Sequence, residues 1–293
     1  MNYEYLDSKS AYTKINNQNL PYDSDLNIYR GCEHDCIYCF ARYTARYLNN
    51  RDFSKKIFIK RNIKTIFIEQ LLNKKKPFLL NIGGISDCYQ PIEYEQKIMP
   101  EIIKTLEIFK IPCCITTKSS LILRDYTLLE NLSKQTSVNI AISLITTDSN
   151  LLSILEPYAS SFKERVTILK KFKFSNIYFG IHIMPIIPYL TDSYENLENI
   201  FILAKKYKVK YIEYNYLNLK GETKNIFFKF LSQYKPELLE IYKKIYIDGY
   251  PNNSYISKTD KVILKLRSKY NIQSSNIIKQ VSKNNSYEQL SLF

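Results

Sequence analysis

Short runs rich in β-branched and apolar residues recur at 26–29, 78–82, 113–117, 139–145, 177–183 and 211–216, and helical patterns at 63–72, 97–109, 124–132, 162–172 and 194–207 lie between them. This alternation constrains the fold more than any other feature. The runs read as strands mostly buried on both faces, and strands separated by helices pair in parallel through right-handed crossovers. An open doubly wound sheet fits the alternation equally well, but the glycine fingerprint it needs after the first strand is absent. The expected fold class is α/β, a partial (β/α)6 TIM-type barrel.

Beyond Gly221 the periodicity is helical only, at 227–246 and 258–270, as expected of an extension that caps the barrel. From about Asn271 the chain is polar. The expected organisation is a barrel at 1–221 with a metal loop at 30–42, a helical extension at 222–270 and a flexible tail at 271–293. A chain of 293 residues with 45% hydrophobic content can bury a substantial core. The N-terminus lacks a basic segment followed by an apolar one, and no run of about 18 apolar residues occurs, so a soluble cytoplasmic protein with no membrane partner is expected. Six cysteines then point to metal or redox chemistry more than to disulfides. A formal charge of +14 suits a polyanionic partner, although the abundance of Lys, Asn, Ile and Tyr also fits a compositional bias carried on a solvated surface.

The first connection, from Tyr29 to Phe78, is the longest and carries Cys32, Cys36 and Cys39 in a Cys-x3-Cys-x2-Cys spacing. Two metal readings stand on this spacing. Zinc would take the three thiolates with His34 or Cys88 as its fourth ligand. A 4Fe–4S cluster normally takes four cysteines, so three would leave one iron open to a substrate or cofactor.

The spacing, the aromatic in Ile37-Tyr38-Cys39 and the flanking Arg30-Gly31 and Phe40-Ala41-Arg42 resemble the radical S-adenosylmethionine (SAM) superfamily. Segments 86–93, 116–125, 143–148, 155–157 and 184–188 are similar to its spore photoproduct lyase-like, or DNA repair photolyase-like, branch. The resemblance spans roughly 20–195 and implies a 4Fe–4S cluster on Cys32, Cys36 and Cys39, whose open iron chelates SAM. One electron then cleaves the sulfonium to a 5′-deoxyadenosyl radical, which abstracts hydrogen from substrate. The protein binds, orients and excludes water. In a barrel such a site belongs at the carboxyl ends of the strands.

The same resemblance assigns the cofactor's surroundings. Gly83-Gly84 matches a glycine-rich turn whose carbonyls receive the methionyl ammonium, although an ordinary strand-ending turn reads the same way. Ser86 and Asp87 follow, Asp87 as an acceptor for the ammonium or ribose. Lys118 and Ser143 match residues that contact the cofactor's carboxylate and ribose, and Tyr38 would lie against the adenine. A lone strand-end lysine is otherwise usually a snorkelling surface residue. Asp125 at a helix start, His34, His182, Cys113 and Cys114 read as structural. Spore photoproduct lyases carry a hydrogen-donating cysteine just before the position of Ser86, where this chain has Gly84-Ile85; Cys88 is the nearest thiol, out of register. This departure separates radical generation, which the resemblance implies, from repair of the spore thymine dimer.

The terminal Gln289-Leu-Ser-Leu-Phe293 is similar to the peptide by which bacterial replication and repair proteins dock into the β sliding clamp. Gln289 would be the polar anchor and Leu290, Leu292 and Phe293 the apolar ones. Together with the charge, this makes DNA the expected substrate, with a reductant such as flavodoxin or ferredoxin. RNA or a protein is the alternative substrate, and a non-catalytic metal-containing DNA-binding module the alternative class.

Overall fold

The computed structural model describes residues 1–17, 20–48, 53–73 and 76–275; the clamp-like peptide at 289–293 lies outside them. The strands are β1 (Asn2–Leu6), β2 (Tyr12–Lys14), β3 (Ser24–Leu26), β4 (Tyr29–Arg30), β5 (Lys56–Lys60), β6 (Leu80–Ile82), β7 (Cys113–Thr117), β8 (Val138–Ser143), β9 (Tyr178–Ile186) and β10 (Tyr211–Tyr216). The helices are α1 (Ile63–Asn73), α2 (Glu93–Gln96), α3 (Ile98–Phe109), α4 (Tyr126–Gln135), α5 (Ser149–Leu155), α6 (Phe162–Phe172), α7 (Tyr194–Lys206), α8 (Glu222–Tyr234), α9 (Leu239–Ile245) and α10 (Asn253–Tyr270).

The large sheet runs β10-β9-β8-β7-β6-β3-β2, parallel throughout except for the antiparallel β2. From β3 to β10 the strand order follows the chain without reversal. A doubly wound sheet would reverse at its first strand. The monotonic order is that of a partial barrel, left open between β10 and β2.

Successive side chains of a strand alternate between faces. Ile115, Val138, Ile140, Ile142, Ile181 and Ile183 join α3, α4, α6 and α7 in the principal core. Between them Cys114, Thr116, Asn139, Ala141, Ser143 and His182 point to the other, concave side. The lumen floor is aromatic: Tyr178 stacks on Tyr211 at 5.0 Å, and Tyr211 crosses β9 to donate to Asn139 Oδ1 at 2.6 Å. Gly180 permits this crossing, since a Cβ there would stand 2.1 Å from the Tyr211 ring.

Some elements differ from the sequence reading. The strand expected at 26–29 divides: β3 stays in the large sheet, while β4 pairs with β5 in a separate sheet of order β1-β5-β4. The helix expected at 227–246 breaks at Pro236, which opens a 3₁₀ turn between α8 and α9 because proline cannot donate its missing N–H. α8 and α9 form a second apolar cluster with Tyr38, Ile145, Leu155 and Ile187 over the barrel mouth. By contrast, α10 lies on the wall, where Ile263 and Leu266 enter the principal core. No helix among the described residues is long and apolar enough to cross a membrane.

Candidate active site at the barrel mouth

The cysteine loop leaves β4 through Gly31, whose positive φ of 85° and backbone neighbours suit only glycine: a Cβ would stand 2.7 Å from the Lys56 carbonyl oxygen. Cross-links from distant elements then fix the loop. Cys32 N–H donates to the Phe53 carbonyl at 3.1 Å, and Ile37 N–H to that of Leu155 at 3.0 Å. The Glu33 carboxylate accepts from Ile92 N–H at 2.7 Å and from Tyr3 at 2.6 Å. Arg42 donates to Asp35 at 2.6 Å and to the Cys36 carbonyl at 3.1 Å, and Thr223 of α8 to the Cys39 carbonyl at 2.8 Å.

All of the cysteines are free thiols. Burial pushes Cys32 up to about 12, helped by the charge of Asp87. Burial also raises Cys36, against the pull of Lys118, and Cys39. Their thiolates therefore need a compensating positive centre, which a metal supplies. His34 is not part of such a set: its Nε2 lies 3.0 Å from Asp87 Oδ2 and its Nδ1 3.1 Å from the Tyr158 carbonyl. Among the described residues no three Cys, His, Asp or Glu side chains gather around one point, as the ~2.3 Å Zn–S bonds of a single-ion site require.

Asp87 joins the loop to the sheet. Its Oδ1 accepts from Thr117 Oγ1 at 2.8 Å and Tyr89 N–H at 2.9 Å, while Oδ2 meets His34 at 3.0 Å and Lys118 N–H at 2.8 Å. A carboxylate offers about four lone-pair positions, so these partners occupy it fully. Burial pushes its pKa up, but His34 and the N–H donors outweigh this and hold it at about 2. The acceptor role expected for Asp87 toward an ammonium or ribose is thus taken by the protein itself.

A second buried chain runs from the loop to β8. Tyr38 donates to Glu156, and Arg165 pairs with the other oxygen of Glu156. Arg165 also donates to the Ser143 carbonyl at 2.9 Å and the Ser160 carbonyl at 2.9 Å, with no exposed surface of its own. Burial disfavours the Glu156 charge, but Arg165 and Lys118 outweigh it and lower the pKa. The Tyr38 hydroxyl is therefore engaged, and its ring faces Lys118 Nζ at 5.9 Å. Neither Glu156 nor Arg165 carries an expected role from sequence. The signal was present: Arg165 falls on the apolar stripe of α6 with Ile168, Leu169 and Phe172, where a charge demands a partner.

Around this frame the other expected residues sit at the carboxyl ends of neighbouring strands. Gly83-Gly84 ends β6; Gly83 has φ 81°, and a Cβ on Gly84 would meet Asn81 and Asp25 at 2.7 Å. Ser86 follows it, Lys118 follows β7 and Ser143 ends β8. The hydroxyls of Ser86 and Ser143 are buried without a hydrogen-bond partner. Burial disfavours the Lys118 charge, but Cys36 and Glu156 outweigh it and favour the ammonium. Cys88 is buried in the principal core with Tyr89 and Ile92, its Sγ behind the Gly83 turn, 3.4 Å from where a Cβ on Gly83 would stand. Cys113 is also a core residue, and Cys114 packs on Leu79. Asp125 is clamped by Arg124 at 2.7 Å, which also holds buried Glu93 at 2.7 Å. Burial and Lys118 lower His182 to about 4, so its imidazole is neutral. The three thiols, one cation and two orphaned hydroxyls fit a thiolate-bound cluster beside a polar organic ligand.

Proteins of Mycobacterium tuberculosis and Mycobacterium bovis, both uncharacterized, are 30% identical to this chain over 270 residues, covering 90% of it and 79% of each relative. An uncharacterized protein of Methanocaldococcus jannaschii is 30% identical over 243 residues, 81% of this chain and 87% of its own. Spore photoproduct lyase complexed with dinucleoside spore photoproduct superposes with a TM-score of 0.65 at 12% identity, over 92% of this chain and 79% of the lyase. Streptococcus suis SuiB bound to S-adenosylmethionine superposes with a TM-score of 0.56 at 17% identity, over 86% and 49%. At these identities the likeness to the solved structures is one of fold. The model of the Radical SAM superfamily matches residues 26–200, so the chain belongs to that superfamily, whose members use a 4Fe–4S cluster and S-adenosylmethionine.

Proposed function

We propose that this radical SAM enzyme repairs or modifies DNA, with Cys32, Cys36 and Cys39 binding the cluster and one iron left to the cofactor. The observation that carries the reading is the meeting of the cysteine loop with Ser86, Lys118 and Ser143 at adjacent strand ends, both serine hydroxyls buried and unpartnered. Lys118 would neutralise the cofactor's carboxylate, Ser86 and Ser143 would bond its polar atoms, and the Gly83-Gly84 turn would approach its ammonium. Asp87 and Tyr38 hold the loop in register through their buried hydrogen bonds, and the Tyr38 ring would lie against the adenine. When bound, cluster and cofactor supply a carbon radical after one-electron cleavage of the sulfonium. The chain's own share is orientation and the exclusion of water, the latter by α8 and α9 over the mouth. Cys88, enclosed in the principal core, has no part in this scheme.

DNA is favoured by the charge of +14 and by the dinucleoside bound to the lyase of the same fold. A flavodoxin or ferredoxin in the cytoplasm would supply the electron, and the peptide at 289–293 would dock on the sliding clamp. The test is anaerobic reconstitution with iron and sulfide, followed by assay of 5′-deoxyadenosine with and without damaged duplexes. Cofactor cleavage that is lost in Cys32→Ala, Cys36→Ala and Cys39→Ala supports the reading; a protein that takes up no cluster and cleaves no cofactor refutes it. Deuterium passing from labelled DNA into 5′-deoxyadenosine identifies the substrate.

A further inference from the structure

A cavity of about 740 Å³ lies beside the mouth, between β3, the small sheet and the 3₁₀ segment Phe40–Leu48, and its walls include Lys60, Arg30, Asn27 and Ile85. The alternation of the small sheet explains its lining. Ile57, Ile59 and Tyr29 turn into the principal core, so Lys56 and Lys60 of β5 and Arg30 of β4 share the opposite face. Arg30 is registered with Phe58, and Lys60 N–H bonds the Ile28 carbonyl at 3.3 Å, so Arg30 and Lys60 are diagonal neighbours, about 7–8 Å apart at Cα.

The charges on this face are unequally matched. Lys56 pairs with Glu4 at 2.8 Å, and Asp7 on the cavity rim is taken by Arg61 at 2.8 Å. Asp25 accepts from Asn81 at 2.7 Å, from Asn27 at 2.5 Å and from the Gly84 backbone. Lys60 is only 7% exposed, yet neither it nor Arg30 has an ion pair among the described residues. Burying an ammonium beside a guanidinium is costly; Asp25 offsets only part of that cost, and an anion bound between the two cations removes the rest. The spacing suits a tetrahedral oxyanion, with Arg30 supplying a fork and Lys60 a point charge.

We propose that this cavity is a phosphate-binding subsite in which Lys60 and Arg30 grip a phosphate of the ligand next to the cofactor site. Its assignment to a nucleic-acid backbone rests on the reading of DNA as substrate; a mononucleotide presents the same group. Asn27 connects the two sites, since its Oδ1 accepts from Ile85 N–H at 2.9 Å in the turn that leads to Ser86.

The pH dependence follows from the groups that face Lys60: Arg30 from β4, Asp25 from β3, Lys56 on its own strand, and Asp7 and Lys9 on the rim. Burial and Arg30 lower Lys60 to about 8 against the opposing pull of Asp25. A bound phosphate favours the ammonium, so affinity falls as pH rises through about 8.

The experiment uses the full chain without cluster and follows a fluorescein-labelled single-stranded oligodeoxynucleotide by anisotropy, with inorganic phosphate, thymidine 5′-monophosphate and poly-glutamate as competitors. Lys60→Met and Arg30→Gln should each weaken binding about tenfold and lower the slope of log affinity against log salt by about 0.7. Lys60→Arg should retain affinity and lose the fall above pH 8. Exposed Lys163→Gln on α6, far in sequence from the cavity, is the control, and thermal melts verify folding. Calorimetric binding of the monophosphate, lost in Lys60→Met, with no oligonucleotide binding assigns the site to a small phosphate ligand. Parent-like binding by folded Lys60→Met and Arg30→Gln, or equal displacement by poly-glutamate, overturns the proposal. Oligonucleotide binding of this kind without cofactor cleavage would keep the subsite and refute the radical reading; cleavage with parent-like variants would do the reverse.

Discussion

On the convex side of the sheet, Ile115, Ile140, Ile142 and Ile181 pack against helices in one apolar cluster. At the carboxyl ends of the strands, the mouth buries Asp87 beyond β6, Glu156 at the end of α5 and Arg165 on α6, and holds them with aimed hydrogen bonds. Burial of apolar area is non-directional and tolerates small shifts. Buried charges do not, because each needs its partner in place. The contrast teaches where positional accuracy is concentrated: the wall supplies cohesion, and the ion-paired mouth fixes the cysteine loop relative to β7 and β8.

The largest expected effect comes from breaking that difference at Arg165. Arg165→Met leaves the Glu156 carboxylate buried and removes donors to two carbonyls, so denaturant unfolding should show a loss of roughly 3–5 kcal/mol. The double variant with Glu156→Gln should recover part of it, because the orphaned charge is gone. A loss below about 1 kcal/mol in the single variant would mean that the pair does not anchor the mouth. On the wall, Ile142→Ala should cost about 3 kcal/mol through cavity formation. Cofactor cleavage per folded molecule should stay near the parent's, whereas in Arg165→Met it should drop. Equal losses of activity would erase the distinction.

Asp87 tests the mouth through pH. Its folded pKa of about 2 lies below the ordinary 3.8, so the stability it contributes is fully present above pH ~4 and is lost as pH falls through about 2. The shift corresponds to about 2 kcal/mol. Asp87→Asn should be destabilised by a similar amount at pH 7, since its amide would confront the N–H donors of Tyr89 or Lys118. It should also lack part of the acid-limb slope between pH 4 and 2, measured by urea unfolding at stepped pH. An identical slope in both proteins would show that Asp87 is not held down.

The wall was far more legible in sequence than the mouth. The runs at 113–117 and 211–216 coincide with β7 and β10, because a buried parallel strand announces itself locally as an apolar run. The pairing of β1 with β5 joins residues more than 50 positions apart, and the lysines that flank Ile57-Phe-Ile59 hid that strand. At the mouth, the cysteine spacing marked the loop, but nothing local could show that Asp87 would spend its lone pairs on Thr117, Tyr89, His34 and Lys118. Arg165 was readable from the α6 stripe, while its partner Glu156, nine positions earlier, depends on how β8 and α6 turn back on the loop.

The smallest stability effect is the sharpest test of the mouth. The Ser143 hydroxyl is buried and unpartnered, in contrast to the paired groups around it. Removing an unsatisfied polar atom recovers its desolvation cost and forfeits no hydrogen bond, so Ser143→Ala should change stability by no more than about 1 kcal/mol, in the stabilising direction. Had the serine served the fold, a partner would be lost and the sign would reverse. If the hydroxyl is kept for a ligand, the reconstituted Ser143→Ala protein should bind S-adenosylmethionine about tenfold more weakly while melting at or above the parent's temperature. Calorimetric titration beside a thermal melt separates the cases. Parent-like affinity would remove Ser143 from the cofactor's surroundings, and a lower melting temperature would return it to the ranks of structural residues.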